Sequence, residues 1–426
     1  MYVILCTDEE PLPAGLRLFF LLLNMAADRA LNSLRWYMSA IFKNYARYPL
    51  SFVKGEGCRL TDDKGEIYFD FGSGISVVNL GHSHPAVTES ICTQAGTLIH
   101  TSNLYNIPVQ ERLADKLSRR SFGGDVFFCN SGMEANEAAL KLARIYGNTH
   151  FEGKRLRVIT LENSFHGRSY MTLSATGQDK IKKGFEPVAD FFTHIPANDF
   201  DALKREVDKG DVAAFMLELI QGEGGLCALN KKYLAQCADF CRKEGVMLIL
   251  DEIQTGFCRT GSYFAYEQFG IEPDVITLAK GIANGVPMGA MIAKPEFAKY
   301  MTPGTHGTTF GGNFLACAAA LAVFDVMNAD GFLEEVNEKG AYMKEALENI
   351  FEGTDVTVLG MGMMLGAKIP GRQKEFINKA IENKLLLVPA GHDVVRIYPP
   401  LTISQEDLDA GLELISKTAT DLGLGG

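Results

Sequence analysis

An acidic residue and a lysine each follow a short apolar segment of the chain. Asp251 comes directly after the run Val246–Leu250, and Lys280 follows the run Asp274–Leu278. Short apolar runs bounded by polar or glycine residues are typical of buried strands. Because ligands of open α/β sheets bind at the carboxyl ends of the strands, we expect the carboxylate and the amine to face one crevice. A structural Lys–Asp ion pair at the sheet edge is the alternative interpretation.

This carboxylate and this amine are the two groups that pyridoxal 5'-phosphate requires from a protein. Its aldehyde reacts with a lysine amine, and its ring nitrogen needs an acidic partner to stay protonated. Leu278 and Ala279 precede Lys280, so partial desolvation should lower the pKa of the amine and make it more nucleophilic. The sequence therefore predicts a pyridoxal-phosphate site with Lys280 and Asp251 as its catalytic residues.

The composition indicates a globular protein and argues against several other classes. The chain has 426 residues, of which 47% are hydrophobic and 22% charged, which suits one large α/β domain plus a smaller one. The net charge of −11 and the scattered Lys and Arg residues argue against a nucleic-acid partner. The nine cysteines form no CxxC pair, so we expect reduced thiols in the cytoplasm. His82 and His84 have no acid or thiol near them in the sequence, and we predict no metal site.

The first 37 residues differ in character from the rest of the chain. Their apolar stretch, Leu16–Met25, is far too short to span a bilayer. Acidic residues at positions 8–10 precede it, whereas secretory signals begin with basic residues and transit peptides avoid acids. We therefore expect residues 1–37 to be an atypical extension outside the native protein, with Met38 as the natural start and no membrane partner.

The pattern of apolar segments predicts an α/β fold with two domains and a short lead-in. Residues 38–85 contain short β-type stretches separated by turns and should pack with the small domain. In residues 86–322 helices alternate with strands, which is typical of a mostly parallel central sheet with helices on both faces. Residues 323–426 should form a smaller α+β domain. The strands predicted for the large domain are Asp125–Cys129, Arg157–Leu161, Ala214–Leu219, Val246–Leu250, Asp274–Leu278 and Gly289–Ala293.

The first strand-to-helix turn of the large domain offers a phosphate site. Ser131 and Glu134 form a capping-box pattern directly after the strand that ends at Cys129. A helix N-terminus carries free N–H groups and the positive end of the helix dipole, and this turn is a usual place for a cofactor phosphate. Ser131, Gly132 and Met133 are the candidate residues, although such caps occur on most helices.

Two further loops carry side chains suited to a cofactor or substrate. In the first, Phe165 could stack on a pyridine ring and Arg168 could hold a carboxylate through two hydrogen bonds. In the second, His306–Asn313, the adjacent hydroxyls of Thr308 and Thr309 precede an apolar helix and predict another phosphate-contacting loop. Taken alone, Phe165 would be a core residue and the second loop only a helix lead-in.

Glu223 and Arg396 are predicted to form an ion pair. Glu223 lies in the glycine-rich turn Gln221–Gly225, and Arg396 lies between Val395 and Ile397 on an apolar strand. A guanidinium on such a strand cannot be buried without a counter-charge, and Glu223 is the partner that we expect. The alternative interpretation is that the turn Gln221–Gly225 is a solvated loop.

Taken in order, these motifs closely resemble those of the class III pyridoxal-phosphate aminotransferases. The matching motifs are Ser131-Gly132, Phe165-His166-Gly167-Arg168, Gln221-Gly222-Glu223-Gly224-Gly225, Asp251-Glu252-Ile253-Gln254-Thr255-Gly256, Lys280 and Thr309-Phe310-Gly311-Gly312-Asn313. The resemblance covers the chain from Ser39 to Ile415. Within the class it is strongest to the acetylornithine aminotransferases, through Cys129–Glu137, Ser164–Arg168 and Gly281–Gly289.

The resemblance implies a fold-type-I homodimer whose two active sites are shared between the subunits. Lys280 would bind the cofactor and shuttle protons, Asp251 would hold the pyridine nitrogen, and Gln254 the phenolic oxygen. Phe165 would cover the ring face. The phosphate would be bound by the N–H groups of the helix start described above and by Thr309 of the partner subunit.

The resemblance also implies the substrates and their binding residues. The ω-amino group of N-acetylornithine would pass to 2-oxoglutarate in two half-reactions through pyridoxamine phosphate, a step of arginine biosynthesis. Arg168 would clamp a substrate carboxylate, with Thr308 nearby. Glu223 and Arg396 would act as a switch: the neutralised pair tolerates the donor's ω-amine, and the freed arginine binds the acceptor's carboxylate.

Several other activities share these residues. Ornithine, succinylornithine and 4-aminobutyrate aminotransferases would use the same set, and the pocket shape near Arg168 and Val78 would distinguish them. An aminomutase of the glutamate-1-semialdehyde type would not need 2-oxoglutarate, so the Glu223–Arg396 pair argues against it. A pyridoxal-phosphate-binding regulatory protein would carry a DNA-binding segment, and no basic helix-turn-helix pattern precedes this domain.

Overall fold

The computed structural model describes residues 40–425. The predicted extension, residues 1–37, and the predicted start at Met38 lie outside the described residues. The chain divides into two units, Met1–Ser51 and Phe52–Gly426. The described part of the first unit, residues 40–51, contains no helix or strand. The second unit holds all the elements below and the candidate site.

The second unit contains strands, α-helices and one short 3-10 helix. The strands are β1 (Phe52–Glu56), β2 (Arg59–Asp62), β3 (Ile67–Asp70), β4 (Asp125–Cys129), β5 (Arg157–Leu161), β6 (Phe192–Ile195), β7 (Val212–Leu217), β8 (Ile220–Gln221), β9 (Cys227–Ala228), β10 (Met247–Asp251), β11 (Val275–Leu278), β12 (Gly289–Ala293), β13 (Thr357–Met361), β14 (Met364–Lys368), β15 (Leu385–Leu386), β16 (Val388–Pro389) and β17 (Val394–Ile397). The α-helices are Ser73–Ser76, Pro85–Ala95, Pro108–Arg120, Gly132–His150, Tyr170–Ala175, Asp179–Lys182, Phe200–Val207, Lys231–Glu244, Tyr266–Phe269, Pro295–Ala298, Phe314–Met327, Phe332–Ile350, Gln373–Glu382 and Gln405–Asp421, and the 3-10 helix is Lys280–Ala283.

The largest sheet has seven strands in the order β4-β12-β11-β10-β7-β5-β6. Neighbouring strands from β11 to β6 run parallel, whereas β12 is antiparallel to both β11 and β4. The carboxyl ends of β10, β11 and β7 therefore meet at one edge, which is where ligands of such sheets bind. The predicted α/β class with a mostly parallel central sheet is confirmed.

Both faces of this sheet are covered, because alternate residues of its strands join two different apolar cores. Met247 and Ile249 of β10 lie in one core with the helix Gly132–His150, while Leu248 lies in the other with the helix Lys231–Glu244. Side chains of a strand alternate between the faces of a sheet. Burial on both faces explains why these strands are continuous apolar runs in the sequence.

The sequence patterns located most strands of this sheet and missed one. The predicted ranges Asp125–Cys129, Arg157–Leu161 and Gly289–Ala293 match the structure. The strand β6 was not predicted, because Thr193 and His194 interrupt its apolar character. It forms the edge of the sheet and pairs only with β5 there.

Two smaller sheets have four strands each. One has the order β1-β2-β3-β15, with β15 parallel to β3, and the other has the order β13-β14-β17-β16. The first sheet joins the lead-in of the chain to its C-terminal part. The domain boundaries near residues 86 and 323 stay predictions.

No single helix among residues 40–425 is long and apolar enough to span a membrane. The helices Phe314–Met327 and Phe332–Ile350 are long and apolar enough only when taken together, and they are bent by 74° relative to each other. No group of three or more His, Cys, Asp or Glu side chains in this part of the chain is placed to hold a metal ion. His82 does have an acidic neighbour that the sequence did not indicate, because its Nε2 lies 2.8 Å from Asp70 Oδ2.

Candidate active site

A cavity of about 440 Å³ is lined by the segments that follow the carboxyl ends of five strands, β4, β5, β7, β10 and β11. This volume lies in the range of small-molecule sites. Nine of the twelve residues predicted for the site line the cavity: Ser131, Gly132, Met133, Phe165, Arg168, Glu223, Asp251, Gln254 and Lys280. The sheet topology thus brings together side chains that are far apart in the sequence.

Asp251 is the last residue of β10 and is 4% exposed. Its Oδ2 accepts hydrogen bonds from His166 Nδ1 and Asn136 Nδ2, both at 2.8 Å. Its Oδ1 accepts one from the Ile253 backbone N–H at 3.1 Å. Three donors therefore hold the buried carboxyl group of Asp251 in place.

The His166 ring is buried against Asp251, and Glu218 is a second acidic group that acts on its charge. Burial disfavours its charged form, but the hydrogen bond to Asp251 and the charge of Asp251 outweigh burial and raise the pKa of His166. Glu218 lines the same cavity, and its burial raises the pKa of the carboxyl to about 8. Glu218 Oε2 also accepts a hydrogen bond from the Phe165 N–H at 2.9 Å, which holds the loop that carries the aromatic ring.

Lys280 begins the 3-10 helix that follows β11 and has a φ of 47°, a left-handed backbone conformation that is uncommon for residues other than glycine. Strained backbone of this kind occurs often at functional sites. Desolvation and the positive charge of Arg396 lower the pKa of Lys280 from 10.5 to about 8, against the opposing charges of Glu223 and Asp251. A lysine with this pKa is a nucleophile and a proton carrier near neutral pH.

The helix Gly132–His150 points its first turn at the cavity. Ser131 is the N-cap, and its Oγ accepts a hydrogen bond from the Glu134 N–H at 3.2 Å. The Glu134 carboxylate bonds the Asn130 N–H instead of the N-cap N–H, so only half of the predicted capping box forms as expected. A β-carbon at Gly132 would lie 2.6 Å from Ile253 Cδ1, so glycine allows the helix start to approach Ile253. The N–H groups of Gly132 and Met133 have no intrahelical acceptor and can bind an anion.

Glu223 and Arg396 form the predicted ion pair, with 2.6 Å between Oε1 and Nη1. Glu223 lines the cavity, whereas Arg396 is 2% exposed and does not. The pair therefore presents its carboxylate to the cavity. A β-carbon at Gly222 would lie 2.1 Å from Gln254 Oε1, so glycine at this position allows the turn to approach Gln254.

Three predicted residues do not line the cavity of this chain: Thr308, Thr309 and Arg396. Arg396 reaches it through Glu223, and Thr308 Oγ1 accepts a hydrogen bond at 3.2 Å from Nδ2 of a lining residue, Asn130. Thr309 is exposed. Val78, near which the pocket shape was expected to distinguish the donors, does not itself line the cavity, whereas Val77 and Gly285 do, and a β-carbon at Gly285 would lie 3.5 Å from Val78 Cγ1.

Sequence reasoning missed the partners that orient the predicted residues. Asn136 and His166 bind Asp251, and Tyr398 donates a hydrogen bond to Gln254 Oε1 at 3.0 Å. Asn136 is fully buried on a helix face otherwise made of apolar residues. A lone amide on such a face is the signal that could have identified it, since buried polar groups need partners.

The residues of the cavity fit pyridoxal phosphate. The helix start offers N–H donors for a phosphate, Asp251 supplies a carboxyl group held by three donors, and Lys280 supplies an amine with a lowered pKa. Phe165 supplies a flat aromatic face on the same cavity. These are the groups that this cofactor requires.

Comparison with known proteins assigns the chain to a family. The family model of "Aminotransferase class-III" matches residues 41–419. An acetylornithine aminotransferase of Caldanaerobacter subterraneus subsp. tengcongensis is 46% identical over 385 residues, which cover 90% of this chain and 98% of that one. The solved N-acetylornithine aminotransferase from Stenotrophomonas maltophilia K279a has a TM-score of 0.78 and 33% identity, covering 89% of this chain and 97% of that one.

A second solved structure is an ornithine aminotransferase from Toxoplasma gondii, with a TM-score of 0.87 and 31% identity, covering 94% of this chain and 98% of that one. Its description reports partial occupancy of PLP at the active site. The chain belongs to the class III aminotransferase family. It is a pyridoxal-phosphate-dependent transaminase of fold type I, and the predicted family resemblance and cofactor are confirmed.

Proposed function

We propose that this enzyme transfers the ω-amino group of N-acetylornithine to 2-oxoglutarate, a step of arginine biosynthesis. The observation that carries the proposal is the Glu223–Arg396 pair, whose carboxylate lines the same cavity as Lys280, because the pair provides a buried arginine that a carboxylate can cover or free. The curated relative at 46% identity, which bears the name acetylornithine aminotransferase, supports this donor.

The proposed roles of the cofactor-binding residues follow from their positions. When bound, pyridoxal phosphate supplies an aldehyde for the amino group and an electron sink for the bonds at the amine-bearing carbon. Lys280 would hold the aldehyde carbon and move the proton, Asp251 would keep the ring nitrogen protonated, and Gln254 would bind the phenolic oxygen. Phe165 covers the ring. The N–H groups at the start of the helix Gly132–His150 bind the phosphate.

The proposed substrate residues surround the same cavity. Arg168 is an exposed lining residue whose guanidinium carbon lies 5.9 Å from the Phe165 ring centroid, so it can meet a carboxylate at the outer end of a substrate. Thr308 acts on the substrate indirectly, through its hydrogen bond with Asn130, which lines the cavity. When Glu223 is paired with Arg396, the arginine is neutralised and the pocket accepts the ω-amino group of the donor. When Glu223 moves away, Arg396 binds the α-carboxylate of 2-oxoglutarate.

A homodimer completes the proposed site. Large apolar side chains are exposed next to Thr309, with Leu104 at 87%, Tyr105 at 70% and Phe310 at 61%. Asn103 Nδ2 donates hydrogen bonds to the carbonyls of the 308–311 loop, and the His100 and Phe310 rings lie 5.5 Å apart, so these side chains form one patch. Exposed apolar patches of this kind are typical of protein interfaces. In the proposed dimer this patch binds a second copy and Thr309 serves the opposite site. We place the enzyme in the cytoplasm.

Covalent binding of pyridoxal phosphate to the apoprotein is expected to accelerate as the pH rises, with a midpoint near 8. The pKa of Lys280 is lowered to about 8, and only the neutral amine attacks the aldehyde, so the reactive fraction grows from pH 6.5 to 9. Stopped-flow absorbance over this range measures the rate. The Glu218 carboxyl, with its pKa also raised to about 8, titrates in the same window, and a Glu218→Gln variant separates the two groups. A rate independent of pH in both proteins would contradict the assignment of Lys280.

A panel of amino donors tests the proposed substrate. Acetylornithine, ornithine, succinylornithine and 4-aminobutyrate are each mixed with the loaded enzyme, and the loss of the visible cofactor band is followed in single turnovers. We expect acetylornithine to have the highest specificity constant, by about 10-fold or more, because differences of a few atoms in a pocket produce discrimination of this size. A faster reaction of another donor would reassign the substrate within the same family.

Ornithine is the second candidate donor. The solved ornithine aminotransferase from Toxoplasma gondii has a TM-score of 0.87, against 0.78 for the solved N-acetylornithine enzyme. The sequence identity points the other way, with 46% to a protein named acetylornithine aminotransferase and 31% to the ornithine enzyme. The panel above decides between them.

A further inference from the structure

A buried chain of hydrogen bonds reaches Asp251 from the neighbouring strand. Asp251 on β10 and Thr277 on β11 are register partners. The Thr277 hydroxyl donates to Asn136 Oδ1 at 2.6 Å, and Asn136 Nδ2 donates to Asp251 Oδ2 at 2.8 Å and to the His166 carbonyl at 2.8 Å. Asn136 and Thr277 are fully buried. Neither residue had a role in the site as predicted from the sequence.

The bonds determine the orientation of the Asn136 amide. The two groups near its nitrogen, the Asp251 carboxylate and the His166 carbonyl, are both acceptors, so this end must be the NH2 group. The oxygen then faces the Thr277 hydroxyl, which donates its proton. If Thr277 could not donate, the amide oxygen would be buried without a partner, which disfavours this orientation.

The same bonds distinguish the two oxygens of Asp251. Oδ2 accepts hydrogen bonds from both Asn136 and His166, so its lone pairs are used and a proton there would meet two donors. Oδ1 accepts only the bond from the Ile253 N–H. Among the described residues, Oδ1 is therefore the Asp251 oxygen with a remaining acceptor position, and Asp251 lines the cavity.

We propose that Asn136, oriented by Thr277, is a positioning residue that holds the Asp251 carboxylate through Oδ2 and leaves Oδ1 as the acceptor for the protonated ring nitrogen of the cofactor. The proposal rests on the proposed role of Asp251. It predicts that two residues that do not contact the reacting atoms control the protonation of the ring. Their effect reaches the cofactor through Asp251.

The test uses isosteric changes of both residues. Thr277→Val removes the hydroxyl donor, Thr277→Ser retains it, and Asn136→Asp places a second carboxylate against Asp251, so that the two must share a proton. Three quantities are measured: the dissociation constant of pyridoxal phosphate, the chemical shift of the ¹⁵N-labelled pyridine nitrogen in the loaded enzyme, and the melting temperature of the apoprotein.

We expect Thr277→Val to weaken cofactor binding by about 10-fold, with binding restored to near the parent value in Thr277→Ser. Asn136→Asp should move the ¹⁵N signal toward that of the neutral ring. Parent-like affinity and parent-like ¹⁵N shifts in Thr277→Val and Asn136→Asp would overturn the proposal. If Asn136→Asp does not fold, as its melting temperature reports, the Thr277 pair decides alone.

An Asp251→Asn variant separates this proposal from the function on which it rests. If Asp251→Asn moves the ¹⁵N signal while the Asn136 and Thr277 variants do not, the positioning role fails and the role of Asp251 stands. If Asp251→Asn leaves the signal unchanged, the proposed role of Asp251 fails, and the positioning role fails with it.

Discussion

Changing Lys280 to alanine is expected to abolish covalent attachment of pyridoxal phosphate and to reduce turnover by at least about 1,000-fold. The amine is placed at the carboxyl end of β11, on the same cavity as Asp251, and its pKa of about 8 suits both nucleophilic attack and proton transfer. Alanine removes both functions at once. Visible absorbance of the purified protein measures attachment, and single-turnover kinetics with donor and acceptor measure the chemistry.

Lys339→Ala is the matched control for this variant. Lys339 is also a lysine of low exposure, at 8%, but it pairs with Glu335 on the helix Phe332–Ile350 and does not line the cavity. We expect this control to keep the visible band and the parent turnover. A Lys280→Ala protein that still completes both half-reactions would exclude Lys280 from the catalytic role.

Changing Glu223 to glutamine is expected to alter the choice of donor without removing the ability to react. Arg396 is 2% exposed, and its Nη2 also donates to the Pro389 carbonyl at 2.7 Å, so the guanidinium stays in place when the opposing charge is lost. An uncompensated buried cation repels the donor's ω-amine but attracts a carboxylate. We expect the specificity constant for acetylornithine to fall about 10- to 100-fold, whereas that for glutamate changes by less than about 3-fold.

Single-turnover reactions with each donor measure this ratio, and Glu162→Gln is the control. Glu162 is an exposed acid that lines a neighbouring cavity together with Glu223, so it tests the loss of one negative charge nearby without breaking the ion pair. The control should keep the parent ratio. An unchanged ratio in Glu223→Gln would exclude the switch and return Arg396 to a purely structural role.

Most of the central sheet was predictable, because its strands are buried on both faces and therefore appear as apolar runs. The edge strand β6 was not, since an edge strand with Thr193 and His194 does not need a continuous apolar sequence. The direction of β12 was also outside the reach of the sequence patterns. A strand has the same apolar character whichever way it runs, and only the pairing with β11 and β4 shows that it is antiparallel.

The residues proposed to perform the chemistry could be identified from the sequence because each carries an ionisable group in an apolar setting. Lys280 and Asp251 stand at the ends of apolar runs, and Arg396 stands within one, so each needs a partner or a function. By itself the sequence determined which groups must meet and which cofactor they suit. It also determined that the chain folds around a mostly parallel sheet.

Only the tertiary structure decided how those groups are held. Asn136 and Thr277 are polar residues on an apolar helix face and an apolar strand. The sequence around each of them does not indicate that their side chains form a hydrogen bond next to Asp251. Their contact depends on the register of β10 against β11 and on the packing of the helix Gly132–His150 over that face. Hydrogen bonds between residues so distant in the chain depend on the whole fold, because distances of 2.6 to 2.8 Å are set only after the core has packed.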